Sequence, residues 1–175
     1  MIIRSNLSSW DVAYALNMAI ACAISYWLIT HALASTIGKD SDLLGGMWAA
    51  VATLFVFRAS WRDSLSAGIA RFLATAVSFI LCLAYLWIFP FTVAGLGAVI
   101  AVGTLAMILL GRRDDIVTTG ITTVVVMAVA AMSPSDAWQQ PMLRLLDTVV
   151  GIGIGVACKW AASLVYARVS GKKLR

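Results

Sequence analysis

Residues 145–167 read LLDTVVGIGIGVACKWAASLVYA. The run is too long for a strand and does not alternate polar with apolar positions, so it is a helix. It exceeds the roughly 20 apolar residues that a helix needs to cross a bilayer. Its only charges are Asp147 and Lys159. Five more apolar runs precede it, at about 10–34, 43–57, 67–89, 91–110 and 116–132. Hydrophobic residues make up 62% of the 175, and charged residues 12%, about half the usual ~25%. A soluble domain of this size has too little interior for such a chain. A soluble enzyme is therefore excluded, and the expected fold is all-α, an integral membrane six-helix bundle filling one domain, 1–175. The lipid bilayer is its solvent. The third and fourth spans meet at Phe89-Pro90-Phe91, where Pro90 suits the first turn of the fourth helix.

Charge sets the orientation. Six spans put both termini on one side. That side collects Arg4, Arg58, Arg62, Arg71, Arg112, Arg113, Arg168, Lys172, Lys173 and Arg175, and the other only Lys39 and Arg144. Cationic loops stay inside, so both termini are expected in the cytoplasm. The net charge of +5 follows from this asymmetry and gives no reason to expect nucleic acid. Trp10, Trp61 and Trp160 fall near the inner interface, and Trp87 and Trp138 near the outer one. The N-terminus lacks the pattern of a cleaved signal peptide. The expected location is a bacterial inner (plasma) membrane, crossed several times.

The chain also repeats itself. Arg71-Phe-Leu-Ala-Thr75-Ala-Val77 and Arg144-Leu-Leu-Asp-Thr148-Val-Val150 share Arg, Leu, Thr and Val at one register, 73 residues apart. Three helices per copy make the repeat inverted, as in many alternating-access transporters.

The stretch Gly45-Gly46-Met47-Trp48-Ala49-Ala50, then Arg58, Ser64 to Gly68, Arg71 and Thr75, resembles the fusaric-acid-resistance-like membrane family. The segment Arg144-x-x-Asp147-Thr148-x-x-Gly151 is similar to that family's last-helix pattern. The family includes aromatic acid exporters and is distantly similar to plant aluminium-activated malate transporters. The resemblance implies export of small organic anions such as aromatic carboxylates. Many members carry a large cytoplasmic domain or a second membrane half. The present chain shows neither, which points to a homo-oligomer, a dimer in the simplest case.

The candidate substrate path comprises Arg71, Arg144, Lys159, Asn17 and Trp48. Lys159 lies inside a span, where a charge costs roughly 2.5–3.5 kcal/mol. Its helix descends inward, so its Cβ bond tilts away from the cytoplasm and works against snorkelling. Lining a cavity or attracting an anion competes with snorkelling or a structural pair. Asp147 is the candidate for proton coupling, against a bland pairing with Arg144 three residues earlier. Arg71 is either a topology anchor or a holder of anionic substrate. Asn17 bonds a neighbouring helix or lines the path, and Trp48 packs or offers an aromatic platform. Gly151 and Gly155 stand in one row with Asp147 and Lys159 and let another backbone approach, within the subunit or across an oligomer interface. Arg112-Arg113-Asp114-Asp115 reads as topology plus a helix start.

Cys22, Cys82 and Cys158 read as small apolar residues of buried helices. With one His, no metal ligand set forms, and no cofactor is expected. Gly151-Ile-Gly-Ile-Gly155 lies within a span and is not a nucleotide loop. No nucleophile–base set appears, so an enzyme is not expected. The expected function is ion-gradient-driven export of small organic anions. A passive anion channel and a non-transporting membrane subunit of a larger complex are the alternatives.

Overall fold

The computed structural model describes residues 8–33, 42–132 and 139–170. Among them every regular element is helical. We number six α-helices: α1 Ser9–Trp27, α2 Asp42–Val56, α3 Trp61–Ile88, α4 Val93–Leu109, α5 Ile116–Met132 and α6 Gln139–Ser170. A π-helical stretch, Leu28–Leu33, continues α1, and a 3-10 turn, Arg113–Asp115, leads into α5.

Local sequence sets the ends. Ser8 caps α1 through a box with Asp11, whose carboxylate accepts from the Ser8 amide at 2.9 Å. Ser60 caps α3 by accepting from the Asp63 amide, so this helix begins at Trp61 rather than near 67. Pro90 does not open α4. It sits in the extended link before Thr92, and the Thr92 hydroxyl accepts from the Gly95 amide. The cap residue, not the proline, marks the start. Gly111 ends α4 in the left-handed region at φ 71°, and the Arg112 amide donates back to the Met107 carbonyl at 2.9 Å. α6 extends beyond 145–167 in both directions.

Four helical segments, Trp10–His31, Trp61–Ile88, Arg113–Met132 and Pro141–Arg168, are long and apolar enough to cross a membrane. Leu43–Val56 and Val93–Leu109 are apolar but shorter. The apolar surface lies on the outside: Leu16, Ile80, Trp87, Leu105 and Leu109 are all exposed. The interior is small and hydroxylated, with Ser25, Thr53, Ser64, Thr75, Ser78, Thr119 and Thr123 buried. This distribution fits a hydrocarbon solvent, where close packing and hydrogen bonds, not apolar burial, hold helices together.

Those bonds link particular helices. Thr53 of α2 has its Oγ1 3.0 Å from Ser25 Oγ on α1 and 3.0 Å from the Gly151 carbonyl on α6. Ser78 of α3 donates to the Thr119 carbonyl of α5 at 2.9 Å, and Thr123 donates to Ser78 at 3.2 Å. α6 packs against α2, α3 and α1; α3 packs against α5, α4 and α6; α1 packs on α2, and α4 on α5. Cys82, Val99, Val126 and Met127 form the core of the α3–α4–α5 side.

Candidate functional site

The bundle has two polar ends. At one, α2 stops, α3 starts and α6 passes its last turns. Here Lys159 is 8% exposed, with its ammonium 4.6 Å from the Tyr14 ring centroid and 5.4 Å from that of Phe57. Two ring faces replace part of the hydration that the ammonium gives up. No carboxylate of a described residue pairs with it. Asn17 lies beside it, its amide 3.5 Å from the Cys158 carbonyl. A cavity of about 300 Å³ opens onto this lysine, lined also by Trp10, Tyr14, Asn17, Ser163 and Tyr166. Trp10 and Tyr166, both in its lining, meet edge to face with ring centroids 4.6 Å apart.

Across the α2–α3 turn lies Arg71, 5% exposed. Its guanidinium sits over the Phe55 ring at 4.5 Å. Its Nε and Nη1 are buried and make no hydrogen bond to any described residue. A small cavity of about 70 Å³ adjoins it, lined also by Phe55, Arg58, Asp115 and Thr118.

The other end holds the ion pair. Arg144 Nη1 lies 3.2 Å from Asp147 Oδ2, and the two residues are 4% and 3% exposed. The same Nη1 lies 3.5 Å from the Leu44 carbonyl, and the guanidinium is 5.7 Å from the Trp48 ring. Gly45 lets α2 come this close: a Cβ there would stand 3.0 Å from Asp147 Oδ1.

The expected path residues therefore fall into three groups. Lys159 joins Asn17, Arg144 joins Asp147 and Trp48, and Arg71 stands apart from both. Arg144 and Lys159 are 15 positions apart on α6, about 22 Å at 1.5 Å per residue. Gly151 and Gly155 face α2 inside the subunit. A Cβ on Gly151 would collide with the Ala49 carbonyl, and one on Gly155 would stand 3.4 Å from Thr53. Arg112 and Asp115 form an ion pair at 2.7 Å. Arg4, Lys39, Trp138, Lys172, Lys173 and Arg175 lie outside the described residues. Tyr14, Phe55, Phe57 and Tyr166 were not legible as site residues. Tyr14 stands one turn before Asn17, which is a usable signal, but nothing along the chain ties Phe55 to Arg71. Among the described residues no cluster of three or more His, Cys, Asp or Glu could hold a metal ion.

The sequence family described as fusaric acid resistance protein-like matches residues 20–158, most of the chain. The chain belongs to that family. This fusaric acid resistance-like protein is thus a multi-pass membrane protein of a transport and resistance family. The matched region holds Trp48, Arg71, Arg144, Asp147, Gly151 and Gly155, while Asn17 and Lys159 fall just beyond its two ends. No curated protein and no solved structure matches the chain.

Proposed function

We propose that this protein exports small organic anions, aromatic carboxylates among them, across a bacterial inner membrane. The observation that carries the reading is Lys159, a buried cation without a carboxylate partner among the described residues, opening onto an aromatic-walled cavity of about 300 Å³. That volume is at the lower end of those that hold small ligands. A carboxylate there would gain the ammonium and the Asn17 amide, and an arene would lie against Trp10, Tyr14 and Tyr166. The charge of Lys159, costly in an empty membrane interior, would be offset by the cargo. Arg71 raises the potential at the same end. Arg144 and Trp48 would stand at the far end of the path, with Asp147 as the group that exchanges a proton with the ion gradient.

The membrane architecture we propose is six crossings in two inverted three-helix repeats, with both termini cytoplasmic. Burial supports it. Ala21 and Ser25 of α1 and Ile29 of its π-helical continuation are buried, and so are Gly95, Val99 and Gly103 of α4, each 74 positions later. Gly45, Ala49, Ala52, Thr53 and Val56 of α2 recur by the same offset as Thr119, Thr123, Val126, Met127 and Ala130 of α5. Gly68, Arg71, Ala74, Thr75, Ser78 and Cys82 of α3 recur 73 positions later as Pro141, Arg144, Asp147, Thr148, Gly151 and Gly155 of α6. Helix pairing follows the same rule: α1–α2 answers to α4–α5, α2–α6 to α5–α3, and α1–α6 to α4–α3. An odd number of crossings per repeat reverses the second copy. Arg58, Arg62, Arg112, Arg113 and Arg168 gather at the Lys159 end, which supports that end as cytoplasmic. Gly97 and Gly153 face outward with open space above them, which supports close approach by a second copy, as in a homodimer.

The second reading is a passive anion channel. It is favoured by the ion pair, because a carboxylate held by Arg144 at 3.2 Å is poorly placed to release and take up protons. The test is flux of a radiolabelled aromatic carboxylate into proteoliposomes under an imposed pH gradient. The exporter requires flux that follows the gradient, with Lys159→Gln inactive and Asp147→Asn uncoupled. Flux that ignores the gradient but needs Lys159 selects the channel. No flux from a folded preparation refutes both for that substrate class and favours a non-transporting subunit.

A further inference from the structure

We infer that Arg71 holds a second, separate anion site, built for a small monovalent inorganic anion such as chloride or nitrate. Arg71 is 95% withdrawn from solvent by its 5% exposure, yet Nε and Nη1 have no hydrogen-bond partner among the described residues. A buried guanidinium with idle donors is costly unless an acceptor and a negative charge come to it. The repeat shows what offsets the charge of the equivalent arginine, whose own Nε is likewise without a hydrogen-bond partner among the described residues. Arg144 takes its counter-charge from Asp147, whereas the matching position beside Arg71 is Ala74. The first half of the chain thus keeps the cation and omits the carboxylate.

The adjoining cavity fits a small guest. At about 70 Å³ it has room for a chloride or nitrate, well below the ~300 Å³ at which pockets begin to suit organic ligands. Thr118 lines it and brings a hydroxyl that can donate. Arg58 adds a second positive charge from the exposed turn. Asp115 is the one carboxylate in the wall, and it is engaged elsewhere: Arg112 Nε and Nη2 both lie 2.7 Å from its Oδ2. Arg58 and Arg71 therefore leave the cavity net positive. Phe55, Ala67 and Ala70 supply the remaining wall and offer no hydration. A guanidinium is itself weakly hydrated, so the site favours anions that shed water easily, nitrate over chloride and chloride over fluoride.

This inference goes beyond the organic-anion reading and does not depend on it. The test uses the full chain in lipid nanodiscs of neutral phosphatidylcholine. Chloride is titrated against gluconate at constant ionic strength, and binding is read from the chlorine-NMR linewidth. The wild type is expected to give saturable broadening that nitrate competes away. Arg71→Gln is expected to weaken the apparent affinity about tenfold or more, as for loss of a charged hydrogen bond. Ala70→Met, which fills the cavity and leaves the arginine, is expected to abolish the signal even if Arg71→Gln does not fold. Lys159→Gln keeps it while losing carboxylate flux, so failure of one reading is distinguishable from failure of the other. No saturable broadening in the wild type, or full broadening in Ala70→Met, overturns the site. Loss of the signal in folded Lys159→Gln moves the site to the large cavity and overturns it as well.

Discussion

Gly151 and Gly153 are two residues apart on α6, and the structure assigns them opposite responses to a methyl group. On Gly151, an added Cβ would collide with the Ala49 carbonyl and stand 2.8 Å from the Ala52 Cβ. On Gly153 it would meet nothing within 4 Å. Overpacking a well-filled interior costs ~1–3 kcal/mol. The obstacle at Gly151 is backbone, which cannot rotate aside, so the cost belongs at the upper end. Replacing Gly by Ala in a helix returns ~1 kcal/mol of propensity. Gly151→Ala should therefore destabilise by about 2 kcal/mol, and Gly153→Ala should stabilise the single subunit by up to ~1 kcal/mol. Gly151→Ala also pushes apart the α2–α6 contact bridged by Thr53 and the Gly151 carbonyl. The assay is reversible SDS unfolding of both variants, diluted to single subunits in mixed micelles, followed by tryptophan fluorescence. Equal stability of the two variants, or greater damage from Gly153→Ala, would refute the assignment of the inward face.

Two further outcomes follow from the polar interior. Arg144→Met leaves Asp147 buried without its counter-ion and should cost ~3–5 kcal/mol, whereas Arg144→Met with Asp147→Leu should recover most of that loss; the same unfolding titration compares them, and equal single and double losses would count against a buried pair. Thr53→Val removes the hydroxyl that joins α1, α2 and α6, and should cost about 0.6 kcal/mol, no more than ~2; a loss well above that range in the same titration would mean that the hydroxyl holds more than the two contacts described.

Lys159 and Asn17 show how far the chain can be read by itself. Each was legible as a polar residue inside an apolar run, where bilayer energetics make any charge or amide conspicuous. Their shared cavity was not legible, because its walls come from α1, the α2–α3 turn and the end of α6, with the aromatic rings supplied by α1 and α6. Arg71 and Arg144 shared a sequence register, and the three-residue spacing already offered Asp147 to Arg144, but only the packed structure showed that no described residue accepts from Arg71 Nε or Nη1. Phe55 and Phe57 carry no mark along the chain, since an aromatic in a membrane helix is ordinary until a cation is seen against it.

The sequence by itself determined the membrane class, the helical content and the family, because hydrocarbon demands long apolar helices and the family's Gly, Trp and Arg pattern is linear. It also exposed the Arg-Leu-Thr-Val repeat. Tertiary structure alone decided which face each small residue takes. Gly151 and Gly155 turn toward α2 within the subunit and Gly153 turns outward. A glycine row permits close approach but does not name the approaching backbone, and only the packed position of Ala49 and Thr53 does so.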